Sequence, residues 1–196
     1  MTTLYCIGDS LTYGPGIRVS RKWTSLVTAE HLQVVNLGVC GDTATGMLAR
    51  LQPLLQENVY RLAPQERPMV LVMGGSNDLF FCGSDLTARS AVSAMVHQLS
   101  SAGYRPIIGI PLPICPEDAP QKWSALADFN RCALLLEEYC RWLKTFASAF
   151  EIPFVDFRRA FTNPDSTPRR ELFLDGLHPN TEGHLLMAQT LREVLK

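Results

Sequence analysis

The chain has 196 residues, 46% of them hydrophobic and 19% charged, and this composition excludes a disordered or a fibrous protein. Lysine and arginine number 18 against 19 aspartates and glutamates, so the net charge is -1, and the sequence lacks the basic runs that follow a nucleic-acid backbone. Such a chain can bury about 70% of its surface, and we therefore expect one domain over residues 1–196 and no nucleic-acid partner.

Five short apolar runs, taken in chain order, predict β-strands. Each run is uncharged and lies next to longer stretches with helical spacing. The runs are Leu4–Ile7, Val34–Leu37, Met69–Met73, Ile107–Ile110 and Phe154–Val155. Runs of this kind are typical of parallel strands that are buried on both faces.

The stretches between and after the strands predict amphipathic helices. Apolar residues recur at helical spacing within Val92–Leu99, Phe129–Phe150 and Leu185–Leu195. The second stretch indicates a long helix, whose apolar stripe we interpret as a core face rather than a dimer seam, so the oligomeric state stays open. Pro53 interrupts the helical pattern Met47–Leu55 and should end or bend that helix.

Strands that alternate with helices indicate an α/β protein with right-handed crossovers. The fold class that fits best is a single-domain, flavodoxin-like three-layer sandwich with a five-stranded parallel sheet. In such folds ligands bind at the carboxyl ends of the strands. We therefore expect functional residues in the segments that directly follow the strands.

A serine and a histidine with a nearby carboxylate occupy two of these segments. Ser10 lies in the turn Gly8–Thr12, where the first strand gives way to a helix, and it needs an adjacent base to become a nucleophile. Asp175 and His178 lie between the last strand and the last helix. Their three-residue spacing lets one turn carry both groups, which suits an aspartate that orients a histidine.

Two further segments carry hydrogen-bond donors. Asn36–Asp42 follows the second strand and Gly74–Asp78 follows the third, and both are rich in glycine. Glycine lets a backbone N–H approach a ligand closely, and an asparagine amide is a neutral donor. Each segment alone is ordinary loop chemistry, whereas the combination is specific.

The four segments resemble the four sequence blocks of the GDSL, or SGNH, hydrolase family, in the family's order. The chain is most similar to the thioesterase/lysophospholipase/arylesterase branch. The matching segments are Ile7–Gly14, Val35–Asn36 with Gly41–Thr43, Gly74–Asp78 and Asp175–Asn180. They are spread over nearly the whole chain.

The resemblance implies a role for five residues. Ser10 would be the nucleophile, His178 the general base and Asp175 the residue that orients it. The oxyanion hole would consist of the backbone N–H groups of Ser10 and Gly41 and the side-chain amide of Asn77. The implied reaction is hydrolysis of an ester or thioester in two acyl-transfer steps, with no metal or organic cofactor.

Two positions in these blocks bear on the assignments: one offers a second candidate donor, and the other departs from the pattern of the thioesterase branch. Gly38 also lies in the second block, but the Gly-Asp-Thr sequence that begins at Gly41 matches the thioesterase branch. Ser76 departs from that branch, which often lacks a residue there, whereas other members of the family carry one. The departure concerns the branch and leaves the assignment of Asn77 unchanged.

The sequence predicts the substrate only as a small molecule with a small or medium acyl group in ester or thioester linkage. Lysophospholipids, acyl-CoA and acetylated sugars are not separated by these motifs. Phe80 and Phe81 follow the oxyanion asparagine, so they either wall an apolar acyl pocket or anchor the core. The proline-rich loop Pro111–Pro120 could border the leaving group or act as a rigid connector, and Arg169 and Arg170 receive no role.

Other functions fit the sequence less well. A phosphate site at Gly8–Ser10 would need a phosphate-binding motif that the following residues do not supply. Asp175, His178 and His184 could be imagined as metal ligands, but no second cluster supports them. We expect His184, His31 and His97 on helix surfaces or in structural positions. A non-catalytic ligand-binding module on the same fold is the remaining alternative.

Cysteine usage and the N-terminal sequence predict the compartment. The six cysteines are scattered, with no C-x-x-C pair, and we interpret them as reduced thiols. The first residues have neither the positive start nor the apolar stretch of a signal peptide, and no stretch is apolar enough for a transmembrane segment. The expected location is therefore cytoplasmic.

Overall fold

Five parallel strands form one sheet in the computed structural model, which describes residues 2–29, 31–57 and 59–195. In chain order the strands are β1 (Thr2–Gly8), β2 (Leu32–Gly38), β3 (Met69–Met73), β4 (Arg105–Ile110) and β5 (Phe154–Asp156). Their spatial order is β2-β1-β3-β4-β5, so the direction of winding reverses once, between β1 and β3. This order confirms the predicted flavodoxin-like fold.

Every stretch with helical spacing forms a helix, and the structure adds further short helices. In chain order they are α1 (Ser10–Tyr13), α2 (Trp23–Val27), α3 (Ala44–Arg50), α4 (Gln52–Leu55), α5 (Ser76–Cys82), α6 (Leu86–Ser101), α7 (Phe129–Ala149), α8 (Phe157–Ala160) and α9 (Thr181–Val194). Single 3₁₀ turns are formed by Val19–Arg21, Val59–Arg61, Pro64–Glu66, Pro116–Asp118, Gln121–Ala125 and Arg170–Leu172. Pro53 lies in the first turn of α4, where its missing N–H is tolerated, and α3 has already ended at Arg50.

The core has two halves, one on each face of the sheet. Alternate residues of a strand point to opposite faces, so Ile7 packs towards α3, α6 and α7, whereas Cys6 packs towards α2, α8 and α9. The apolar stripe of α7 lies in the first half of the core, which agrees with its interpretation as a core face. All six cysteines lie in the described part of the chain and are unpaired.

The expectation that every strand is buried on both faces is wrong for β2. None of its residues is fully buried, whereas β3 is buried along its whole length. The reason is the position of β2 at the edge of the sheet, where it has one neighbouring strand and incomplete cover by the helices. Within the described residues no helix has the length and apolarity needed to cross a membrane, and the cytoplasmic location stays a prediction.

Candidate active site

Ser10 is the first residue of the short helix that follows β1, which lies between β2 and β3 in the sheet. Asp9 caps this helix, because its Oδ1 accepts a hydrogen bond of 2.9 Å from the N–H of Leu11. The turn into the helix is tight at Gly8, where a Cβ atom would lie 2.1 Å from Thr12 Oγ1 and 2.6 Å from the carbonyl oxygen of Met73. The backbone thus fixes Ser10 at the carboxyl end of β1.

Asp175 and His178 form a closed turn in the segment between β5 and α9. Asp175 Oδ2 lies 2.8 Å from His178 Nδ1, and its Oδ1 accepts hydrogen bonds from the backbone N–H groups of Leu177 and His178 at 3.1 and 2.8 Å. Burial alone would raise the pKa of Asp175, but the hydrogen bonds from His178 and Leu177 outweigh it and lower the pKa below its usual value. The carboxylate is therefore ionised and aimed at the imidazole.

The other ring nitrogen of His178 faces the serine. His178 Nε2 lies 3.0 Å from Ser10 Oγ. Because Asp175 accepts a hydrogen bond from Nδ1–H, Nε2 is left as the nitrogen that can accept the proton of the Ser10 hydroxyl. The structure thus brings together the three residues that the sequence motifs place at opposite ends of the chain.

The proline-rich loop supports this turn and does not line the cleft above Ser10. Cys115 donates a hydrogen bond of 2.8 Å from its N–H to the carbonyl oxygen of Gly176. Gly176 has a φ of +74°, and a Cβ atom there would lie 2.4 Å from the Cys115 carbonyl oxygen. Arg170 also binds Asp118 and Glu117 of the loop. The loop thus holds the histidine segment, which favours the connector over a border to the leaving group.

Gly41 and Asn77, the two further oxyanion donors expected from the sequence, line the same cleft as Ser10 and His178. Gly41 has a φ of +77°, which glycine adopts without strain, and nothing lies within 4 Å of the place of a Cβ atom. Gly38 is engaged elsewhere, because its N–H donates to Asn36 Oδ1 at 2.9 Å. The geometry thus favours Gly41 over Gly38 as a donor to a ligand.

A network of hydrogen bonds ties the Gly41 segment to Asn77. Asn77 Nδ2 donates to the carbonyl oxygen of Asp42 at 2.9 Å, which leaves its second N–H to donate to a ligand. Asp42 is itself held by Arg50, whose guanidinium lies 2.6 Å from its carboxylate. Asp78, whose pKa is raised by burial, accepts a hydrogen bond of 2.9 Å from the N–H of Ala44. The two segments that carry the donors are therefore held in one arrangement.

The cleft above Ser10 has a volume of about 300 Å³ and mostly apolar walls. Phe80 and Phe81, which the sequence suggests as walls, both line it. Phe80 is half-buried, and it both lines the cleft and packs on the core, with its ring centroid 5.2 Å from that of Phe129. Phe81 is exposed at the mouth.

Several residues of the cleft were missed in the sequence. They come from the loops after β1 and β2, from the segment between β4 and α7, from the first residue of α7 and from the histidine turn. They are Pro15, Cys40, Trp123, Leu126, Ala127, Phe129 and Leu177. Trp123 stacks on Phe129 at a centroid distance of 6.0 Å and meets the ring of His178 edge to face at 6.0 Å. The signal that could have revealed this wall is the presence of apolar residues in an otherwise polar segment that follows a strand.

The remaining histidines lie outside this cleft. His184 is buried on α9, and its Nδ1 accepts a hydrogen bond of 3.1 Å from the N–H of Trp23. Burial and, less strongly, the charge of Lys22 lower the pKa of His184 to about 4. His184 is thus structural, as the sequence suggests, whereas His31 and His97 are exposed.

The similarity of the four segments to known hydrolases extends to nearly the whole chain. The model of the GDSL-like lipase/acylhydrolase family matches residues 6–186. The chain belongs to this family. Membership of the GDSL-like family places the chain among the esterase-type hydrolases and confirms the resemblance seen in the sequence.

Two GDSL-like relatives are enzymes by name. The chain is 24% identical to thioesterase 1/protease 1/lysophospholipase L1 of Escherichia coli (strain K12) over 198 residues, which cover 99% of this chain and 83% of that protein. It is 29% identical to esterase TesA of Pseudomonas aeruginosa over 119 residues, which cover 57% of this chain. The match spans 55% of TesA, about half the length of that relative.

Solved structures share the fold over their full length. A member of the lipolytic G-D-S-L family from Veillonella parvula has a TM-score of 0.79 and 22% identity, with 99% of this chain and 98% of that chain covered. The aryl esterase of M. smegmatis has a TM-score of 0.79 and 19% identity, with 100% and 98% covered. At these identities the likeness shows a common GDSL-type fold.

Proposed function

We propose that the chain is a serine hydrolase that cleaves carboxylic ester or thioester bonds through an acyl-enzyme. Two hydrogen bonds carry the proposal: His178 Nδ1–H donates to Asp175 Oδ2 at 2.8 Å, and the Ser10 hydroxyl donates to His178 Nε2 at 3.0 Å. This arrangement supplies a nucleophile, a base and the group that orients the base. It lies at the bottom of a cleft that also holds two further candidate donors.

In the first step His178 Nε2 takes the proton of the Ser10 hydroxyl while Ser10 Oγ attacks the carbonyl carbon. The tetrahedral oxyanion would receive hydrogen bonds from the N–H groups of Ser10 and Gly41 and from the amide of Asn77. His178 then returns its proton to the leaving alcohol or thiol as the carbon–oxygen or carbon–sulfur bond breaks. Asp175 stabilises the imidazolium that exists between these two proton transfers.

In the second step water releases the acyl group. His178 takes one proton of the water, and the resulting hydroxide attacks the acyl carbon of the Ser10 ester. The same donors hold the second oxyanion, and His178 returns the proton to Ser10 Oγ as the acid departs. This chemistry uses side chains and backbone N–H groups of the protein together with water, and it requires no metal or organic cofactor.

The walls of the cleft support an apolar acyl group of small or medium size as the substrate. Phe80, Phe129 and Trp123 present aromatic surface next to Ser10, and the volume of about 300 Å³ limits the length of the chain that fits. The named activities of the relatives in Escherichia coli and Pseudomonas aeruginosa, a thioesterase and lysophospholipase and an esterase, support both ester and thioester linkages.

The proposal is tested by hydrolysis of p-nitrophenyl esters from acetate to dodecanoate by the wild type and by Ser10→Ala. We expect the wild type to turn over short or medium esters, and we expect Ser10→Ala to fold normally and to lose this activity. Acyl-CoA substrates extend the test to thioesters. A folded wild type that cleaves neither class, or an active Ser10→Ala variant, contradicts the proposal and favours a binding module.

The role of the cleft wall has its own test in the same ester series. Phe80→Ala removes a ring from the wall, so we expect the preferred acyl chain to become longer. Phe150→Ala is the matched control, because Phe150 is exposed at the end of α7 and does not line the cleft. A shift towards shorter chains in Phe80→Ala, or an equal shift in both variants, contradicts the placement of the acyl group.

A further inference from the structure

Exposed apolar side chains lie in, or next to, the separate segments that form the cleft. These residues, which we call the apolar rim, are between 44% and 72% exposed, and they are Tyr13, Val19, Val39, Phe81, Leu126 and Leu174. Five of them follow the carboxyl ends of the five strands, one after each strand, and these ends lie at one edge of a parallel sheet. Phe81 and Leu126 line the cleft, Val39 precedes Cys40, which also lines it, and the N–H of Leu174 donates to the carbonyl oxygen of His178 at 2.8 Å.

The sixth rim residue lies in a segment that crosses between two of the others. Lys22 Nζ lies 4.2 Å from the centroid of the Tyr13 ring. A Cβ atom on Gly16 would lie 3.6 Å from Leu174 Cδ1. The segment between Gly16 and Lys22 therefore starts and ends at the rim, and it carries Val19 on an exposed 3₁₀ turn. Single exposed apolar residues are normal, whereas a group around one cleft marks an interaction surface.

The same segment carries positive charge without a counter-ion. Arg18 and Arg21 are exposed on either side of Val19, and Lys22 follows them. None of the three forms an ion pair with an acidic residue in the described part of the chain. Asp42, which follows Gly41 of the cleft, is paired with Arg50 and so does not offset these charges. The apolar rim therefore has a group of positive charges next to it.

We propose that the apolar rim, with Arg18, Arg21 and Lys22, docks the mouth of the cleft onto an anionic lipid–water interface. Apolar side chains enter the boundary between headgroups and acyl chains, while neighbouring lysine and arginine side chains bind anionic headgroups. An apolar pocket on a partner protein would match the apolar residues but would leave the three cations without opposite charges. Docking in this orientation opens the cleft directly onto the lipid.

The test uses vesicles of phosphatidylcholine with and without phosphatidylglycerol, and the full chain carrying Ser10→Ala so that the lipid stays intact. We expect co-sedimentation with the anionic vesicles at low ionic strength, weaker binding as salt is added, and little binding to phosphatidylcholine alone. Each cation near an anionic surface raises the affinity by about fivefold. The double variant Arg18→Ala with Arg21→Ala lacks two such cations and should therefore bind roughly 30-fold more weakly. Val19→Glu should weaken it as well.

Matched variants on other surfaces separate this docking from general stickiness. Leu134→Glu places the same charge at an equally exposed apolar residue on α7, and Arg61→Ala with Arg141→Ala removes two exposed cations away from the rim. We expect both controls to bind anionic vesicles like the parent. Equal loss in controls and rim variants, or no binding of the folded parent to anionic vesicles, overturns the proposal. The proposal is also overturned if the parent does not bind vesicles but self-associates, and Val19→Glu abolishes that self-association.

The experiments distinguish a failure of the docking proposal from a failure of the proposed function. Val19, Arg18 and Arg21 do not line the cleft, so in the background with Ser10 intact we expect unchanged hydrolysis of a soluble short ester by the rim variants. Vesicle binding without hydrolysis of any ester contradicts the proposed function, whereas the docking proposal still holds. Hydrolysis of soluble esters without vesicle binding contradicts the docking surface alone.

Discussion

His178 Nε2 lies 3.0 Å from Ser10 Oγ, although 168 positions separate the two residues in the chain. Their strands, β1 and β5, are not neighbours, because β3 and β4 lie between them. The contact depends on α9, which packs against α2 after the histidine turn. Trp23 of α2 links the two sides, since its N–H donates to His184 of α9 and its Nε1–H donates to the carbonyl oxygen of Leu11 at 2.9 Å.

Trp23→Phe should therefore loosen the contact between Ser10 and His178. Phenylalanine keeps most of the buried ring but leaves the carbonyl oxygen of Leu11 without its donor, which should cost about 1–3 kcal/mol of stability. Small misplacement of reacting groups lowers rates by up to about 100-fold, so we expect a lower kcat with little change in KM. The measurements are urea denaturation and steady-state ester hydrolysis.

Trp142→Phe is the control for this positioning role. Trp142 stacks on Tyr139 and Phe146 of α7, on the opposite face of the sheet from Trp23. We expect Trp142→Phe to lower stability without lowering kcat. Wild-type kcat in Trp23→Phe would show that Trp23 has only a structural role.

Asn77→Ala should leave a weak but measurable enzyme. Removal of one oxyanion donor lowers turnover on the order of 100–1,000-fold in hydrolases of this mechanism. Ser76→Ala is the neighbouring control, because the Ser76 hydroxyl is buried without a hydrogen-bond partner in the described structure, and we expect its kcat to stay near that of the wild type. Turnover of Asn77→Ala close to the wild type would remove Asn77 from the oxyanion hole.

Gly41→Ala, compared with a control glycine, distinguishes the effect of backbone strain from the effect of a displaced oxyanion donor. An alanine at the φ of +77° costs about 1–2 kcal/mol, although its Cβ would meet no atom within 4 Å. Gly83→Ala imposes similar strain at a φ of +63°, also with nothing within 4 Å, at a position that does not line the cleft. We expect equal losses of stability by thermal denaturation and a loss of kcat in Gly41→Ala alone. An equal kcat in the two variants would argue against Gly41 as a donor.

The strands and the site segments could be predicted because their signals are local. An apolar run predicts a strand, and the turn at Gly8 and the spacing of Asp175 and His178 are readable within a few residues. The parallel topology then brings the segments together, since every strand ends at the same edge. Assignment of Gly41 rather than Gly38 from sequence needed the family resemblance, whereas the structure gives a physical reason in the bond from Gly38 to Asn36.

Local signals mark the apolar residues Trp123 and Leu126, but their place beside Ser10 could not be predicted in this way. Their segment consists of a 3₁₀ turn without hydrophobic periodicity, and its place depends on the stacking of Trp123 on Phe129. The half-burial of β2 depends on the spatial order of the strands, which no local pattern encodes. The burial of His184 likewise depends on α2, which covers this face of α9. These features arise from tertiary packing.

Asp9 should make the stability of the protein fall as the pH rises. It is buried beside Ser10, one of its oxygens accepts from Leu11, and the other has no partner in the described structure. Burial raises the pKa of Asp9 to about 7. Between about pH 4 and pH 7 the native state thus binds more protons than the unfolded state, so the free energy of unfolding decreases through this window, by at most about 4 kcal/mol.

Asp9→Asn tests this linkage because asparagine keeps an acceptor for the Leu11 N–H but cannot ionise. We expect the stability of Asp9→Asn relative to the wild type to increase from pH 5 to pH 8, measured by urea denaturation at both values. Asp128→Asn makes the same change at an exposed helix cap, where the side chain accepts from Arg131, and its effect should differ little between the two pH values. A difference between Asp9→Asn and the wild type that is the same at pH 5 and pH 8 would mean that Asp9 does not titrate in this range, and that its second oxygen finds a partner in solution.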